Sequence, residues 1–243
     1  MLIERKFFFK RFWFSETPKP WSLFTIHIQS RNQLTITNGY CKKFYTKLIL
    51  LDKDIDQIEK EYDSSTAYEI RRAKRDGITF ELSQDVEFFV SFFNEFAKSK
   101  GYGQRLSVKK IKSMPSYQIV QTKLNDNILA MSLYVVDLDG KRVRLLYSAS
   151  SFRSFEDISM KAFVGRANRL LHHEAIVYFQ SIGIIEYDMG GYAKDSTDKS
   201  LQGINKFKDS FGGTLVEEYN YYPSYFSTIE SVYLSVKKLF TKK

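Results

Sequence analysis

Residues 185–213 read IEYDMGGYAKDSTDKSLQGINKFKDSFGG, and this stretch holds the residues best suited to chemistry. An apolar run meets Asp188, a glycine pair follows at Gly190 and Gly191, and the chain returns with Lys206 and Lys208 among phenylalanines. In open α/β sheets ligands gather at the carboxyl ends of strands. A carboxylate there can orient or deprotonate an amine. Glycines without side chains let backbone N–H groups approach a carbonyl or phosphate oxygen. Plainer roles exist for each: Asp188 as a cap in a strand-to-helix turn, the lysines as a solvated helix face, and Gly212 and Gly213 as a helix stop.

Further candidates lie on a long helix expected over about 160–182. At 100° per residue, Ala167, Leu171, Ala175, Tyr178 and Ile182 form its apolar side, with Asn168 and Glu174 half-buried at the edges. Glu174 is a candidate proton acceptor, or simply a partner for a neighbouring loop. His172 and His173 point away from the apolar centre, and adjacent helical histidines diverge, so no metal site is expected. Arg71 and Arg72, in the cluster RRAKR, could grip an acceptor's phosphates bidentately or form a solvated basic face. Tyr192 is a candidate proton donor to a leaving group. No convincing Ser–His–Asp or Cys–His set is present, which suits direct attack on a carbonyl without an enzyme nucleophile.

The elements that must position these residues follow from periodicity. Residues 1–52 read as short strands, SLFTIHIQ and FYTKLILL among them, with Pro18 and Pro20 at a turn. A helix is expected near Asp54. Another starts at Thr66, where Thr66 and Glu69 have capping-box spacing, and ends at Gly77. ITFEL reads as a strand, and DVEFFVSFFNEFAKSKG as a helix with Phe89, Phe92, Phe93 and Phe96 on one face. Three strands follow (YQIVQTK, ILAMSLYVV, VRLLYSAS), joined by the turns NDN and DLDG. After the long helix come the strand IIEYD, a helix near 199–209, the strand TLVEEYNYY, and a last helix from Ser227. In the helix near 199–209, Ile204, Phe207 and Phe211 form the buried stripe and the lysines flank it. The sum is an α/β arrangement with a mixed sheet.

Composition bounds the partners. The chain has 243 residues, 43% hydrophobic and 16% aromatic, enough for a sizeable core. Net charge is +9 and pI about 9.3, which favours polyanions such as tRNA, an anionic membrane face or a pyrophosphate. The lone Cys41 excludes an internal disulfide and fits a reducing compartment. No apolar run approaches a membrane span, and the start MLIERKFFFKRFWF carries charges too often for a signal-peptide core. A cytoplasmic protein is expected, with peripheral contact to the inner membrane face left open.

Three segments, TAYEIRRAKRDGITFE (66–81), RANRLLHHEAIVYFQSIGIIEYDMGGY (166–192) and INKFKDSFGGTLVEEYNYYP (204–223), together resemble the Fem-type aminoacyltransferases, which build peptide bridges on peptidoglycan precursors. Related single-domain acyltransferases act in envelope-polysaccharide synthesis. The resemblance spans roughly 44–223. It implies a GNAT-like fold, a mixed, mostly antiparallel sheet flanked by helices, over 53–243, with residues 1–52 as a rudimentary N-terminal strand region. Fem-type enzymes carry two GNAT-like domains, and only the second is matched in full.

The resemblance also assigns roles. It sets Lys208 at the developing negative charge, Lys206 on donor phosphate, Asn168 on a donor or loop carbonyl, and Arg71 and Arg72 near the acceptor. With Asp188 on the amine proton and N–H groups around Gly190 and Gly191 on the oxyanion, the expected activity is N-acyl or aminoacyl transfer to an amino group of a cell-envelope precursor. The acceptor would be a nucleotide-sugar or lipid-linked amino sugar. The donor, acyl-CoA or aminoacyl-tRNA, would be a co-substrate with no tightly bound cofactor. The fold's CoA loop is incomplete in AFVGRA (162–167), which keeps Gly165 and Ala167 but has Ala162 in first place; Gly165, Arg166 and Arg169 could still meet phosphate at a helix start. The alternative is a non-catalytic module that keeps the fold and binds polyanions.

Overall fold

The computed structural model describes residues 1–6, 9–103 and 105–226, so the helix expected from Ser227 lies outside the described residues. In chain order the elements are β1 (Leu2–Lys6), β2 (Phe9–Trp13), β3 (Thr25–Ser30), β4 (Gly39–Leu50), α1 (Ile55–Glu59), α2 (Ser64–Arg75), β5 (Thr79–Ser83), α3 (Val86–Ser99), α4 (Val108–Lys112), β6 (Tyr117–Leu124), β7 (Asn127–Asp137), β8 (Arg142–Ser150), α5 (Ile158–Ser181), β9 (Glu186–Gly191), α6 (Lys199–Asp209) and β10 (Thr214–Pro223). The chain divides into two compact units, Met1–Tyr45 with Val216–Lys243, and Thr46–Leu215.

In the first unit β1 pairs antiparallel with β2, β2 parallel with β3, and β10 antiparallel with β3. Its interior is partly polar. Phe12 stacks on His27 with centroids 4.8 Å apart, and Ser15 Oγ lies 3.1 Å from His27 Nδ1 and 2.8 Å from Ser30 Oγ. His27 Nε2 donates to Pro20 O at 3.1 Å, so Nδ1 is left to accept. Burial holds this imidazole below its ordinary pKa, despite the bond to Pro20.

In the second unit the strand order is β4–β9–β8–β7–β6–β5, antiparallel except for the parallel pair β8 and β9. This is the expected mixed, mostly antiparallel sheet flanked by helices. β7 is buried along nearly its whole length, so its sequence is continuously apolar rather than alternating. Its two faces meet two cores. Tyr134 joins Leu171, Phe179 and Tyr187 on the side of α5 and α2. Met131 and Leu133 join Phe89, Phe93 and Ile111 on the side of α3 and α4.

Local rules explain most boundaries. α2 begins at Ser64, two residues before the expected Thr66, because Asp63 caps it by accepting from the Thr66 N–H at 2.5 Å. The Thr66 hydroxyl bonds Ser210 Oγ instead, at 2.9 Å. α2 ends where expected, with Gly77 at φ 79. α6 matches its expected range.

β9 departs from expectation in a way that matters for the site. It does not stop at Asp188 but runs through the glycine pair to Gly191. Thr46 pairs with Gly191 and Leu48 with Asp188, so β9 carries one residue more than β4 between the two pairs. This is a β-bulge. Gly190 sits in it at φ 78, and a Cβ there would come 2.8 Å from Leu145 O of β8. Both features demand glycine. Gly190→Ala is expected to lower unfolding stability by about 1–3 kcal/mol, read as a fall in the urea midpoint at unchanged slope.

Candidate active site

The parallel register of β8 and β9 runs from the pair Arg142 and Glu186 to the pair Arg144 and Asp188. Close to its end lies a cavity of about 470 Å³, lined by Leu145 and Ser148 of β8, Met189 of β9, Asn168 and His172 of α5, and Ile204, Phe207 and Lys208 of α6, with Phe96, Lys100 and Tyr102 from the end of α3. Its size is that of a small-molecule site, and it combines apolar walls with a few polar groups.

Lys208 is the chemical centre of this cavity. It is the one buried residue of α6, 8% exposed, so it lies within the buried face and does not flank it as expected. The face that holds it is Phe207, Lys208 and Phe211; Ile204, expected in the buried stripe, is 39% exposed at the cavity wall. Its Nζ donates to Gly190 O at 3.0 Å and to Gly191 O. No carboxylate among the described residues lies within ion-pair distance of it. Burial pulls its pKa down to about 8; the charge of Asp188 resists the shift and that of Arg144 adds to it. At pH 7 roughly nine in ten copies carry the charge.

Asp188 lies beneath this lysine and is wholly buried. Its Oδ2 accepts from Arg142 Nη2 at 2.6 Å, and its Oδ1 accepts from the Gly190 N–H at 2.7 Å and from the Thr46 hydroxyl. Burial alone would raise the carboxyl pKa. The guanidiniums of Arg142 and Arg144 and the bonds from Thr46 and Arg142 outweigh it and hold the group below its ordinary value. Asp188 is therefore an ionised anchor with both oxygens engaged. The expected role as proton acceptor does not suit that geometry, because an amine would have to displace Arg142. The Gly190 N–H, expected at an oxyanion, is spent on the Asp188 carboxylate. The carbonyls of the glycine pair, not the amides, meet Lys208.

Two α5 residues complete the cavity. Asn168 is half-buried as expected, and its Oδ1 is buried and accepts no hydrogen bond. His172 is 1% exposed, and so is His173, contrary to the outward orientation expected for both. α5 is covered on more than one side, by β6 and β7 and by α2, so a single apolar stripe misjudges it. His172 Nδ1 lies 2.9 Å from Tyr187 OH, which lies 2.6 Å from Tyr134 OH. Burial, and to a lesser degree the Lys208 charge, lowers the His172 pKa to about 3, so it lines the cavity as a neutral ring. Its signal in the sequence was position 172 itself, four residues after Asn168.

The remaining expected residues lie elsewhere. Glu174 bonds Lys74 Nζ at 2.8 Å beside His173 and does not line the cavity. Tyr192 OH donates to Asp209 Oδ2 at 2.8 Å, and burial and that carboxylate raise its pKa, the wrong direction for a proton donor. Lys206 is exposed outside the cavity. Arg166 is 7% exposed, bonded to Asp76 at 3.1 Å and set over Phe163, so it ties α5 to α2 and is not open to phosphate. Gly165 lies two turns inside α5, which starts at Ile158 with Asp157 accepting from the Ser159 and Met160 N–H groups. The expected helix-start phosphate loop at 162–167 is thus helix interior. Arg71 and Arg72 are exposed on α2, away from the cavity lining. No group of three metal-ligating side chains occurs among the described residues.

No protein-family model matches the chain, and no curated protein matches it. Solved structures do. The fold resembles FemX with a TM-score of 0.59 at 16% identity, covering 74% of this chain and 61% of FemX. It resembles the C-terminal domain of a protein assigned as a lysylphosphatidylglycerol synthetase from Agrobacterium fabrum with a TM-score of 0.57 at 13% identity, covering 86% and 70%. For L-PGS from Bacillus licheniformis the TM-score is 0.54 at 13% identity, covering 82% and 68%. At such identities the likeness is one of fold. The fold is similar to that of FemX, a mixed, mostly antiparallel sheet flanked by helices as the sequence motifs implied, and the chain spans about 61% of the length of FemX.

Proposed function

We propose that this protein transfers an acyl or aminoacyl group to an amine of a cell-envelope precursor, with the carbonyl seated in the cavity beside Lys208. The observation that carries the reading is a buried ammonium that lines a cavity with apolar walls, bonded to two backbone carbonyls and with no carboxylate at ion-pair distance among the described residues. The fold bears a net cost for this charge, since the two carbonyl bonds offset only part of the desolvation of a buried cation with no ion-pair partner. An acyl carbonyl gains a great deal, because attack turns its oxygen into an anion that a nearby ammonium stabilises in a site of low polarity.

The chemistry then follows from the residues present. The amine enters as its free base and attacks the carbonyl carbon. Lys208 meets the oxyanion. The bulge carbonyls of Gly190 and Gly191 hold the ammonium in place, and Asp188 holds the bulge through the Gly190 N–H. Collapse of the intermediate expels the donor's thiol or ribose hydroxyl, which leaves with the proton given up by the amine. Neither Lys208, charged at pH 7, nor His172, with a pKa of about 3, is a base strong enough and free enough to keep that proton.

Fem-type resemblance and the lysyl-lipid synthetase fold support an envelope acceptor and leave acyl-CoA or aminoacyl-tRNA as donors. Arg71 and Arg72 are proposed to hold acceptor phosphates. Both are exposed, so Arg71→Ala with Arg72→Ala is expected to change stability by less than about 0.5 kcal/mol while raising the acceptor KM several-fold at unchanged kcat. The test of the whole reading is incubation with labelled acetyl-CoA or charged tRNA and a panel of amino-sugar nucleotides. Transfer to the amine is expected.

A second reading has its own observation. The first unit carries twelve basic and five acidic side chains in sequence, against 25 and 23 in the second, so +7 of the +9 charge lies there. A polyanion-binding module, for tRNA or an anionic membrane surface, would concentrate charge in this way. It predicts salt-sensitive binding to either that is indifferent to Lys208→Met.

A further inference from the structure

We infer that the cavity beside Lys208 accepts an acyl group whose side chain is uncharged, with an apolar body and one hydrogen-bond donor, and excludes a group whose side chain ends in a cation; this rests on the acyl-transfer reading above. The walls that would touch the body of such a group are Leu145, Met189, Ile204 and Phe207. The only charged side chains among the described lining residues are Lys100 and Lys208, and no carboxylate joins them. A cationic acyl side chain would lose its water, find no anion, and lie near one or two ammonium groups. A specific pocket rejects a ligand in this way, by an unpaired charge more than by shape. The lysyl group in the name of one structural neighbour is of the excluded kind.

The polar lining refines the class. Asn168 Oδ1 is buried and accepts nothing from the protein, so it awaits a donor. Lys208 offers donors for an oxygen, although its bonds to Gly190 and Gly191 occupy part of that capacity. Ser148 Oγ is engaged with Ser132 Oγ at 3.1 Å. A carbonyl oxygen on one side and an amide N–H or hydroxyl on the other, on an apolar chain, satisfies these groups without placing a new charge.

The probes are hexanamide, which has the carbonyl, the N–H and the apolar chain, and 6-aminohexanamide, which adds a terminal ammonium. Binding is followed by the methyl resonance of Met189, one of five methionines, assigned through Met189→Leu. Hexanamide is expected to shift this resonance saturably, 6-aminohexanamide to bind at least tenfold more weakly, and Asn168→Ala to weaken hexanamide about fivefold. Ile204 is 39% exposed, so Ile204→Glu is tolerated, and it is expected to narrow the gap between the probes at least tenfold. Equal or tighter binding of the cationic probe, or no shift of Met189 with either, overturns the inference. Lysyl transfer as fast as acetyl transfer also overturns it and leaves the acyl-transfer reading intact. Hexanamide binding as described, with no transfer from any donor, upholds the cavity's selectivity and removes that reading.

Discussion

Lys208→Met is expected to leave the protein at least as stable at pH 7 and to reduce acyl transfer by about 10²–10³-fold, the loss typical of an oxyanion donor. Stability and activity separate here because the ammonium is held against its own preference. Its pKa falls from 10.5 to about 8 on folding, which costs about 3 kcal/mol below pH 8. Methionine fits the apolar surroundings and removes that cost. The loss of the bonds to the Gly190 and Gly191 carbonyls takes back about 1 kcal/mol each, which leaves a gain of about 1 kcal/mol.

The pH dependence isolates this contribution. Between about pH 8 and 10.5 the unfolded lysine binds a proton that the folded one has released, so folding stability from this group rises with pH. It is fully present above 10.5 and lost as pH falls through about 8. The charged groups that act on Lys208 are Asp188 of β9 and Arg144 of β8; Lys100, which lines the same cavity and whose pKa burial also lowers, is present in both proteins and cancels in the comparison. The difference in urea stability between wild type and Lys208→Met is therefore expected to reverse in favour of wild type near pH 10. A constant difference across that range would mean that Lys208 is not a strained cation. The charge requirement also predicts that turnover declines as pH rises through about 8.

Asp188→Ala is expected to have the largest effect on folding, a loss of about 3–5 kcal/mol, because it strips the counter-charge from Arg142, whose side chain is 1% exposed. Glu186, 3.8 Å from Arg142, is too far to replace it fully. Asp188→Asn keeps the shape but not the charge and is expected to lose somewhat less. For a folding unit of this size the loss corresponds to a fall in Tm of roughly 10 °C. Since the folded carboxyl pKa lies below its ordinary 3.8, its contribution is present at neutral pH and disappears as pH falls below that value. An Asn variant with wild-type Tm and no turnover would instead make Asp188 the proton acceptor that its position at the strand end first suggested.

The order of elements was legible in the sequence because it rests on local rules. Turn chemistry at NDN and DLDG joins β6, β7 and β8, Gly77 closes α2, and the apolar run of β7 marks a strand covered on both faces. The site was legible in its parts and misread in its roles. Lys208 and Phe211 already have the i, i+3 spacing of one helix face; treating the lysine as a polar flank hid its burial. Asp188 looked like an available acid because its partners, Thr46 and Arg142, lie 142 and 46 residues away, beyond the reach of any spacing rule. Arg166 looked open to phosphate until Asp76, 90 residues earlier, took it. His172 and His173 were set outside the core by a one-stripe reading of a helix that is buried on several sides. Periodicity sees which residues share a face, and it cannot see which distant charge has already claimed them.

The most direct test is transfer of label from acetyl-CoA or charged tRNA to amino-sugar nucleotides by wild type, Lys208→Met and Lys208→Arg, side by side at pH 7. A cation working on the acyl carbonyl predicts transfer by wild type, loss of at least a hundredfold in a well-folded Met variant, and partial recovery with arginine. Undiminished transfer by the Met variant would contradict it.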